Sequence, residues 1–360
     1  MKILGIETSC DETAAAVVED GVKVLSNVIA SQIPLHHITG GVVPEVAARE
    51  HVVKIMHVIG QALLDAGMTA DEMDAIAFTQ GPGLLSSLVI GISAANTLAI
   101  AAGKPVIPTN HIAGHIYANW LDEKKNDPVR FPLVVLTVSG GHNELVYMKS
   151  HARFRLIGET LDDAAGEAFD KVARLLGLGY PGGPQISRAA ERGNAKRFSL
   201  PKAHISAESY DFSFSGLKTS VLNLVKEEHA REGKLSEEFV ADCSAGFQEA
   251  VCEVLSDKLL KAANEFRSVE VHLAGGVSAN LRLRQMVEEK IKLGYFFDSR
   301  RKKVNLKNRP RLRYAANISY CTDNAAMIAS AAFFHQKHNR KAYAVPGKAL
   351  ADPNLRMYLS

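Results

Sequence analysis

Residues 3–30 read ILGIETSCDETAAAVVEDGVKVLSNVIA, three apolar segments joined by short polar turns. The segments 3–9, 14–19 and 22–30 have the length and β-branched content of strands. The first two are separated by the small polar turn ETSCDET at 7–13, and Asp20-Gly21 is a typical hairpin turn. This stretch therefore predicts a three-stranded meander at the start of the chain.

The same order of segments occurs again about 130 residues later. Residues 133–138 are an apolar strand, SGGHN at 139–143 is a small polar turn, and 144–148 and 154–157 complete a second meander. A duplicated meander is typical of a chain that folds into two similar lobes.

Strand and helix patterns follow each meander. In the first half, a strand at 75–79 leads through Gly81-Pro82-Gly83 into a helix at 84–102, and a strand at 105–108 leads into another helix. In the second half, a strand at 269–274 runs through Gly275-Gly276 into a helical pattern. Further helices are predicted at 44–67, 165–177, 185–193, 217–228, 237–264 and 325–334.

These patterns predict an α/β fold with two duplicated lobes and a ligand cleft between them. We expect the N-terminal lobe to span 1–128, with the helix 323–340 packing back on it. The C-terminal lobe is expected to span 129–322, including a basic insertion at 299–314.

The positive charge of the chain is concentrated in that insertion. Eight basic residues and no acid lie between 299 and 314, whereas the remaining 34 basic and 39 acidic residues carry a net charge of −5. Local charge of this kind indicates a polyanionic partner, or else a solvated loop. The cations concerned are Arg300, Arg301, Lys302, Lys303, Lys307, Arg309, Arg311 and Arg313.

The rest of the composition is that of a globular protein of 360 residues with 47% apolar and 22% charged residues. The four cysteines show no Cys-x-x-Cys spacing, which fits a reducing compartment without a zinc-thiolate site. No apolar run is expected to span a membrane, and no targeting segment is recognised at the start. We therefore expect a cytoplasmic protein without a membrane partner.

His111 and His115 stand out because they are four residues apart at a strand-to-helix transition. This spacing places both imidazoles on one face of a helix, where they can reach one metal ion. Two partly exposed histidines without a ligand would give the same pattern. Several Gly-rich turns placed alike in the two halves add an expectation of bound nucleotide, since glycine lets backbone amides approach phosphate oxygens.

Eight motifs in order resemble those of the TsaD family, tRNA N6-adenosine threonylcarbamoyltransferases of the actin-like, sugar-kinase-like (ASKHA) superfamily. They cover nearly the whole chain and are VAAREH (46–51), GPG (81–83), NHIAGH (110–115), VSGGH (138–142), FDK (169–171), YPGGP (180–184), FSFSGLK (212–218) and CTDNA (321–325). The resemblance implies two duplicated actin-like, ribonuclease H-like lobes around a nucleotide cleft.

The resemblance also implies an activity, the transfer of a threonylcarbamoyl group from threonylcarbamoyl-AMP to N6 of adenosine 37 in tRNAs that read codons beginning with A. It implies one divalent metal, Fe²⁺ or Zn²⁺, held by His111, His115 and Asp323. Two imidazoles and a carboxylate form a facial site with open positions. The substrate-binding residues implied are Thr137, Val138, Ser139, Gly140, Gly141, Asp170, Gly183 and Asn280.

Asp11 and Glu12 lie on the first polar turn, and we expect one of them to accept a proton from the attacking amine. Family members work with a TsaB-like paralogue and a TsaE-like ATPase, which the resemblance implies as partners here. Two features depart from the family: Ala113 stands where many relatives have an acid, and the segment 299–314 is an apparent insertion. We expect its cations Arg300, Arg301, Lys302, Lys303, Lys307 and Arg309 to bind tRNA.

Two other enzyme classes deserve comparison. A metalloprotease of the His-Glu-x-x-His type requires a glutamate between its histidines, but Ile112 and Ala113 occupy those positions. A small-molecule kinase of the same superfamily would use the cleft for ATP, but paired metal-binding histidines are not expected there. A non-catalytic protein on the same fold would not need the metal ligands.

Overall fold

The computed structural model describes residues 1–123, 127–202, 208–298, 300–339 and 342–357. Its strands are β1 (Lys2–Glu7), β2 (Glu12–Glu19), β3 (Lys23–Ser31), β4 (Ala75–Gly81), β5 (Val106–Asn110), β6 (Leu133–Val138), β7 (Asn143–Ser150), β8 (Arg153–Glu159), β9 (Glu270–Ala274), β10 (Tyr295–Phe297), β11 (Lys303–Asn305) and β12 (Arg311–Tyr314). Its helices are α1 (Ile33–Thr39), α2 (Pro44–Asp65), α3 (Leu85–Ala102), α4 (His111–Tyr117), α5 (Ala165–Leu175), α6 (Gly182–Ala190), α7 (Ser215–Glu232), α8 (Glu237–Glu265), α9 (Leu281–Leu293) and α10 (Ala325–His338).

The chain divides into two compact units. The first comprises Met1–Val129, Ser150–Phe154 and Ala315–Ser360, and the second comprises Arg130–Lys149 and Arg155–Tyr314. The boundary expected at residue 128 lies beside this division. The division differs from the expected lobes in placing residues 150–154 and 315–322 with the first unit.

Each unit contains a five-stranded sheet, and the two sheets have the same strand order. The first is β3-β2-β1-β4-β5 and the second, read from its other edge, is β8-β7-β6-β9-β12. In each, the first strand pairs antiparallel with the second and parallel with the fourth. The duplicated α/β architecture predicted from the two meanders is therefore confirmed.

The sheet of the first unit is covered on both faces, which explains its nearly continuous apolar strands. Leu4 and Ile6 belong to a core cluster with α2 and α3 residues such as Ile59 and Leu88. The residues of β1 that alternate with Leu4 and Ile6 lie on the other face of the sheet, towards α10. On this face, a Cβ at Gly5 would be 2.3 Å from the carbonyl oxygen of Ala325. Glycine at this position therefore allows close packing of α10 on β1.

The helix α3 contradicts the expectation that no segment is long and apolar enough to cross a membrane. By length and composition alone, its 18 residues pass that test. However, Leu88, Ile92, Ala95 and Ala99 on this helix are buried in the core cluster of the first unit. Its apolar composition is thus accounted for in part by packing inside the fold.

The core of the second unit joins its sheet to α5–α9. Val134, Leu136 and Val138 alternate along β6 and pack with Phe169 and Phe247 from the helices. The predicted helices of this unit agree with α5–α8 to within a few residues. The sequence patterns did not predict α1 or the strands β10, β11 and β12.

The segment 342–357, called here the C-terminal segment, contacts the first unit from the start of β5 to the carboxyl ends of β4 and β5. It forms a bridge between Ala344 and Val106, and its Asp352 amide donates to the carbonyl of Gln80 at 2.9 Å. Further along, the side-chain amide of Asn110 donates to the carbonyl of Leu355 at 3.1 Å. The ends of β4 and β5, next to α4, are therefore held by residues from the C-terminal segment.

Candidate active site

Two capped helices bring the candidate metal ligands together in the first unit. Asn110 caps α4 because its Oδ1 accepts from the amides of Ile112 at 2.9 Å and Ala113 at 3.1 Å. Asn324 caps α10 in the same way, accepting from the amide of Met327 at 3.0 Å. His111 is the first residue of α4 and Asp323 directly precedes the cap of α10, so both stand at helix starts.

The donor atoms of His111, His115 and Asp323 all lie within 4.8 Å of one another. An Asp323 carboxylate oxygen is 3.2 Å from Nε2 of His115 and 3.6 Å from Nε2 of His111. His115 is fully buried, and neither of its ring nitrogens has a hydrogen-bond partner among the described residues. Because buried imidazole nitrogens without hydrogen bonds are costly, this donor set, with the Asp323 carboxylate beside it, fits a bound cation.

Glu7 and Ser9 orient the ring of His111. The Nδ1 atom of His111 lies 3.1 Å from a carboxylate oxygen of Glu7 and 3.1 Å from the hydroxyl of Ser9. Glu7 is itself fully buried and accepts from the hydroxyl of Thr79 at 2.6 Å. An Nδ1–H donated to Glu7 leaves the Nε2 lone pair directed towards Asp323, as a metal ligand requires.

The charge around His111 is strongly negative. Burial alone would lower the pKa of His111, but the carboxylates of Asp323 and Glu7 outweigh burial and raise this pKa to about 9. A cation at this position is therefore favoured, whether it is a proton on the imidazole or a metal ion bound to it.

Asp11 and Glu12 lie on the turn between β1 and β2, also in the first unit. The hydroxyl of Ser31 donates to Glu12 at 2.8 Å. Burial first, and then the neighbouring carboxylates of Asp11 and Asp323, raise the pKa of Glu12 well above its usual range. Coulombic coupling to Asp323 places this carboxyl pair near the candidate metal ligands.

His51 supports the same turn from α2. Its Nδ1 lies 2.7 Å from the hydroxyl of Thr13 and its Nε2 lies 3.0 Å from the carbonyl of Cys10. From the other side, a Cβ at Gly83 would come within 2.6 Å of the carbonyl oxygen of Ser9. The turn carrying Asp11 and Glu12 is thus held tightly on two sides.

Sequence reasoning did not identify Glu7, Ser9, Thr79 or His51 as parts of the site. A usable signal was present for two of them, because Glu7 and Ser9 occur in the polar turn at the end of β1. Side chains alternate between the two faces of a strand, so Glu7 lies on the same face of β1 as Gly5. This is the face that packs against α10.

The predicted substrate-binding turn of the second unit follows β6. Thr137 and Val138 are buried in β6, and the amide of Ser139 donates to the carbonyl of His142 at 2.8 Å. A Cβ placed on Gly140 or Gly141 would meet no atom within 4 Å. These two glycines therefore leave open space at a turn whose backbone amides can approach a ligand.

Close backbone contacts connect this turn to Asp170 and Gly183. A Cβ at Gly166 would lie 2.4 Å from the carbonyl oxygen of Ser139, and Asp170 lies one helical turn further along α5. Asp170 accepts from the amide of Gly182 at 2.7 Å. A Cβ on the neighbouring Gly183 would meet no atom within 4 Å. The structure thus brings Ser139, Asp170 and Gly183 into one connected region.

The side chain of Asn280 is engaged in contacts within the protein. Its Oδ1 accepts from the amide of Leu283 at 3.0 Å and caps α9. Its Nδ2 donates to Gln248 at 2.8 Å and to Ser187 at 3.1 Å. Asn280 therefore joins α6, α8 and α9, and binding a ligand through this amide would require exchange of these bonds.

Part of the basic segment at 299–314 forms regular secondary structure. Its end, Arg311–Tyr314, is the edge strand β12 of the second sheet, parallel to β9. Lys303–Asn305 is β11, which pairs antiparallel with β10. The segment 299–314, which we expected to be an insertion, therefore contains part of the sheet itself. Its strand β12 corresponds to β5 of the first unit. Arg300, Arg301, Lys302, Lys303, Lys307 and Arg309 are all exposed.

Comparison with known proteins identifies the family. The family profile described as TsaD, tRNA N6-adenosine threonylcarbamoyltransferase, matches residues 23–330. The protein of that name from Thermomicrobium roseum is 52% identical over 353 residues, covering 93% of this chain and 92% of its own. The one from Bacillus subtilis is 49% identical over 349 residues, covering 97% and 94%.

Among solved structures, HypF from T. kodakarensis is similar with a TM-score of 0.55 and 14% identity, covering 94% of this chain and 48% of HypF. Such a likeness shows the fold alone, and the chain has the duplicated actin-like (ASKHA) fold expected from the sequence. The extent of the family match and the identity to full-length relatives together show that the chain belongs to the TsaD family of tRNA N6-adenosine threonylcarbamoyltransferases, acyltransferases that modify tRNA.

Proposed function

We propose that the enzyme transfers the threonylcarbamoyl group of threonylcarbamoyl-AMP to N6 of adenosine 37 in tRNAs that read codons beginning with A. The observation that carries this proposal is the cluster of His111, His115 and Asp323, in which both histidines are buried and the ring nitrogens of His115 lack hydrogen-bond partners among the described residues. As tRNA is its substrate, we place the enzyme in the cytoplasm.

The proposal can be tested with threonylcarbamoyl-AMP labelled in its threonyl group and two tRNA transcripts, in the presence of the TsaB-like paralogue and the TsaE-like ATPase proposed below. Label is expected in a transcript with adenosine at position 37 and is not expected in the matched transcript with guanosine there. Equal labelling of the two transcripts would contradict the choice of adenosine 37, and labelling of neither would contradict the choice of donor.

The ion proposed for the cluster is Fe²⁺ or Zn²⁺, because two imidazoles and one carboxylate suit both metals. When bound, such an ion supplies Lewis-acid polarisation of an oxygen of the donor. His111 and His115 would hold the ion through Nε2 and Asp323 through its carboxylate. The contact between Glu7 and Nδ1 of His111 fixes the ring for this role.

We propose that the pair Asp11 and Glu12 accepts the proton released in the transfer. The N6 nitrogen forms a bond to the carbamoyl carbon, the bond from this carbon to the phosphate oxygen breaks, and AMP leaves. The proton from N6 passes to the carboxyl pair. The pKa of Glu12 is raised by burial and by Asp11 and Asp323, so Glu12 holds a proton more tightly than an exposed carboxylate and can accept one only in its ionised form.

In the second unit, we propose that the turn at Thr137–Gly141 and the open glycine Gly183 receive the adenylate. Asp170 would accept from ribose hydroxyls, as acidic residues do in other nucleotide sites. The amides of Gly140 and Gly141 would donate to phosphate or acyl oxygens. Asn280 stays a proposed contact that requires rearrangement of its present hydrogen bonds.

Asp170→Asn is expected to weaken binding of AMP and of the donor by roughly 10- to 100-fold, since a hydrogen bond to a charged acceptor is lost. Asparagine can still accept from the amide of Gly182, so the melting temperature is expected to change little. Calorimetry measures the affinity, with the exposed substitution Asp71→Asn as control. Wild-type affinity in Asp170→Asn would remove this residue from the site.

We also propose a TsaB-like paralogue and a TsaE-like ATPase as partners, and we place the paralogue on α2 and α3. On α2, Val53, Met56 and Leu64 are more than half exposed and share one helical face. On α3, Leu85 and Ile100 are more than half exposed, and this helix contains no charged residue. Large exposed apolar side chains on two helices that pack together are typical of a protein interface.

The double substitution Val53→Glu with Met56→Glu is expected to weaken binding of the TsaB-like paralogue by more than about 100-fold, since each change places a charge in an apolar interface. Calorimetry with the purified paralogue measures this. Leu281→Glu with Leu293→Glu, at exposed apolar positions on α9, is the matched control. Equal affinities of the two double variants would place the interface elsewhere.

A further inference from the structure

The basic segment has a regular alternation of exposed and inward-facing side chains. Lys303, Asn305, Lys307, Arg309 and Arg311 are exposed, while the residues between them are buried or half-buried. Val304, Leu306 and Leu312 pack against the core of the second unit. Lys303–Asn305 is β11 and Arg311 begins β12, with a bend at 307–308 between them, yet exposed and inward-facing residues alternate along the whole stretch. The exposed residues therefore lie on the outer surface of the segment. We call these five exposed residues the basic strip.

Hydrogen bonds to core elements hold this segment in place. The amide of Lys307 donates to Asn264 on α8 at 2.7 Å, and the side chain of Asn308 donates to the carbonyl of Ser268 at 2.6 Å. The amide of Leu306 donates to the carbonyl of Gly294 at 2.8 Å. The strip is therefore a fixed surface, which argues against the alternative of a solvated loop.

Two cations of the basic segment have structural roles. Arg301 pairs with Glu253, and Arg313 lies 3.3 Å from the buried carboxylate of Glu270. By contrast, Lys307 and Arg309 form no ion pair with any carboxylate in the described part of the chain. A ligand can therefore bind Lys307 and Arg309 without breaking an ion pair between these residues and the described part of the protein.

We propose that the basic strip binds the phosphate backbone of the tRNA substrate. Because its exposed residues alternate with residues that face the protein, the strip presents several cations on one surface to a polyanion. This inference rests on the proposed function for the identity of the RNA. Contacts of this kind position the RNA without reading its sequence.

The surroundings of the strip favour RNA over a membrane. Membrane-binding basic surfaces combine cations with exposed apolar side chains that enter the lipid. Here Val304, Leu306 and Leu312 face the core, and the ammonium of Lys303 lies 4.1 Å from the centre of the Tyr295 ring. The exposed face of the strip is thus polar throughout.

The test compares two triple variants of equal net charge. Lys303→Gln, Lys307→Gln and Arg309→Gln neutralise the strip, and Lys196→Gln, Lys226→Gln and Lys234→Gln neutralise three exposed lysines elsewhere in the second unit. Binding to unmodified tRNA is measured from 50 to 200 mM salt. The ratio of wild-type affinity for tRNA to that of the strip variant is expected to fall roughly 20- to 40-fold from 50 to 200 mM salt, as the loss of three phosphate contacts predicts.

In transfer assays the strip variant is expected to show a KM for tRNA raised at least about tenfold with little change in kcat, since phosphate contacts supply affinity and not chemistry. Wild-type KM and salt slope in the strip variant would overturn the proposal, as would loss of a protein partner with tRNA binding unchanged. Arg309→Gln alone, expected to lower the salt slope by about one unit, provides the test should the triple variant fail to fold. If wild-type protein binds tRNA through the strip but transfers no group, this result would contradict the proposed donor. It would not contradict the proposed role of the strip.

Discussion

His115→Ala is expected to remove the bound metal and to lower the transfer rate by more than about 100-fold, because a Lewis acid supplies several kcal/mol to such a reaction. His115 is fully buried and its nitrogens have no hydrogen-bond partner among the described residues. The loss of one of three ligands leaves the other two unable to hold the ion tightly. Elemental analysis of purified protein measures the metal, and labelled transfer measures the rate.

His229→Ala, at an exposed position on α7, is the matched control and is expected to keep metal and activity. Asp323→Ala tests the same site at a position that is 20% exposed, where a substitution disturbs packing less. Stoichiometric metal in the double variant His111→Ala with His115→Ala would show that the ion lies elsewhere. Adding Fe²⁺ or Zn²⁺ separately to metal-free wild type distinguishes the two candidate ions.

Glu7→Gln is expected to weaken metal binding by about 10- to 100-fold, the usual effect of removing a carboxylate that orients a ligating histidine. The carboxylate of Glu7 lies 3.1 Å from Nδ1 of His111, on the side of the ring away from Asp323. Glutamine keeps the volume but not the charge, so His111 loses its preference for the required tautomer. Competition with a chelating dye measures the metal affinity.

Glu19→Gln is the control for this change, because Glu19 lies in the same sheet and pairs only with the exposed Lys23 in the described salt bridges. A metal affinity equal to that of wild type in Glu7→Gln would reduce Glu7 to a packing role. A lower melting temperature with unchanged metal affinity would give the same conclusion, since it separates stability from positioning.

The duplicated sheets were predictable because their central strands are covered on both faces and must be apolar. The strand β12 was not predictable, because at the sheet edge it combines an exposed arginine and tyrosine with half-buried residues, a pattern that resembles a loop. The proposed metal ligands were suggested by motifs, whereas Glu7 was not. Its role depends on which face of β1 packs against α10, and that is fixed by contacts between residues more than 300 positions apart.

The first unit is built from both ends of the chain, and this has a consequence for its synthesis. Asn110, which caps α4, makes its bond to Leu355 across 245 residues. At 5–20 residues per second, the ribosome needs roughly 12 to 50 seconds to make the intervening chain. During that interval β1 lacks its cover of α10, and His111 and His115 lack Asp323. The nascent enzyme therefore exposes an incomplete candidate metal site until residues 323–338 have been made.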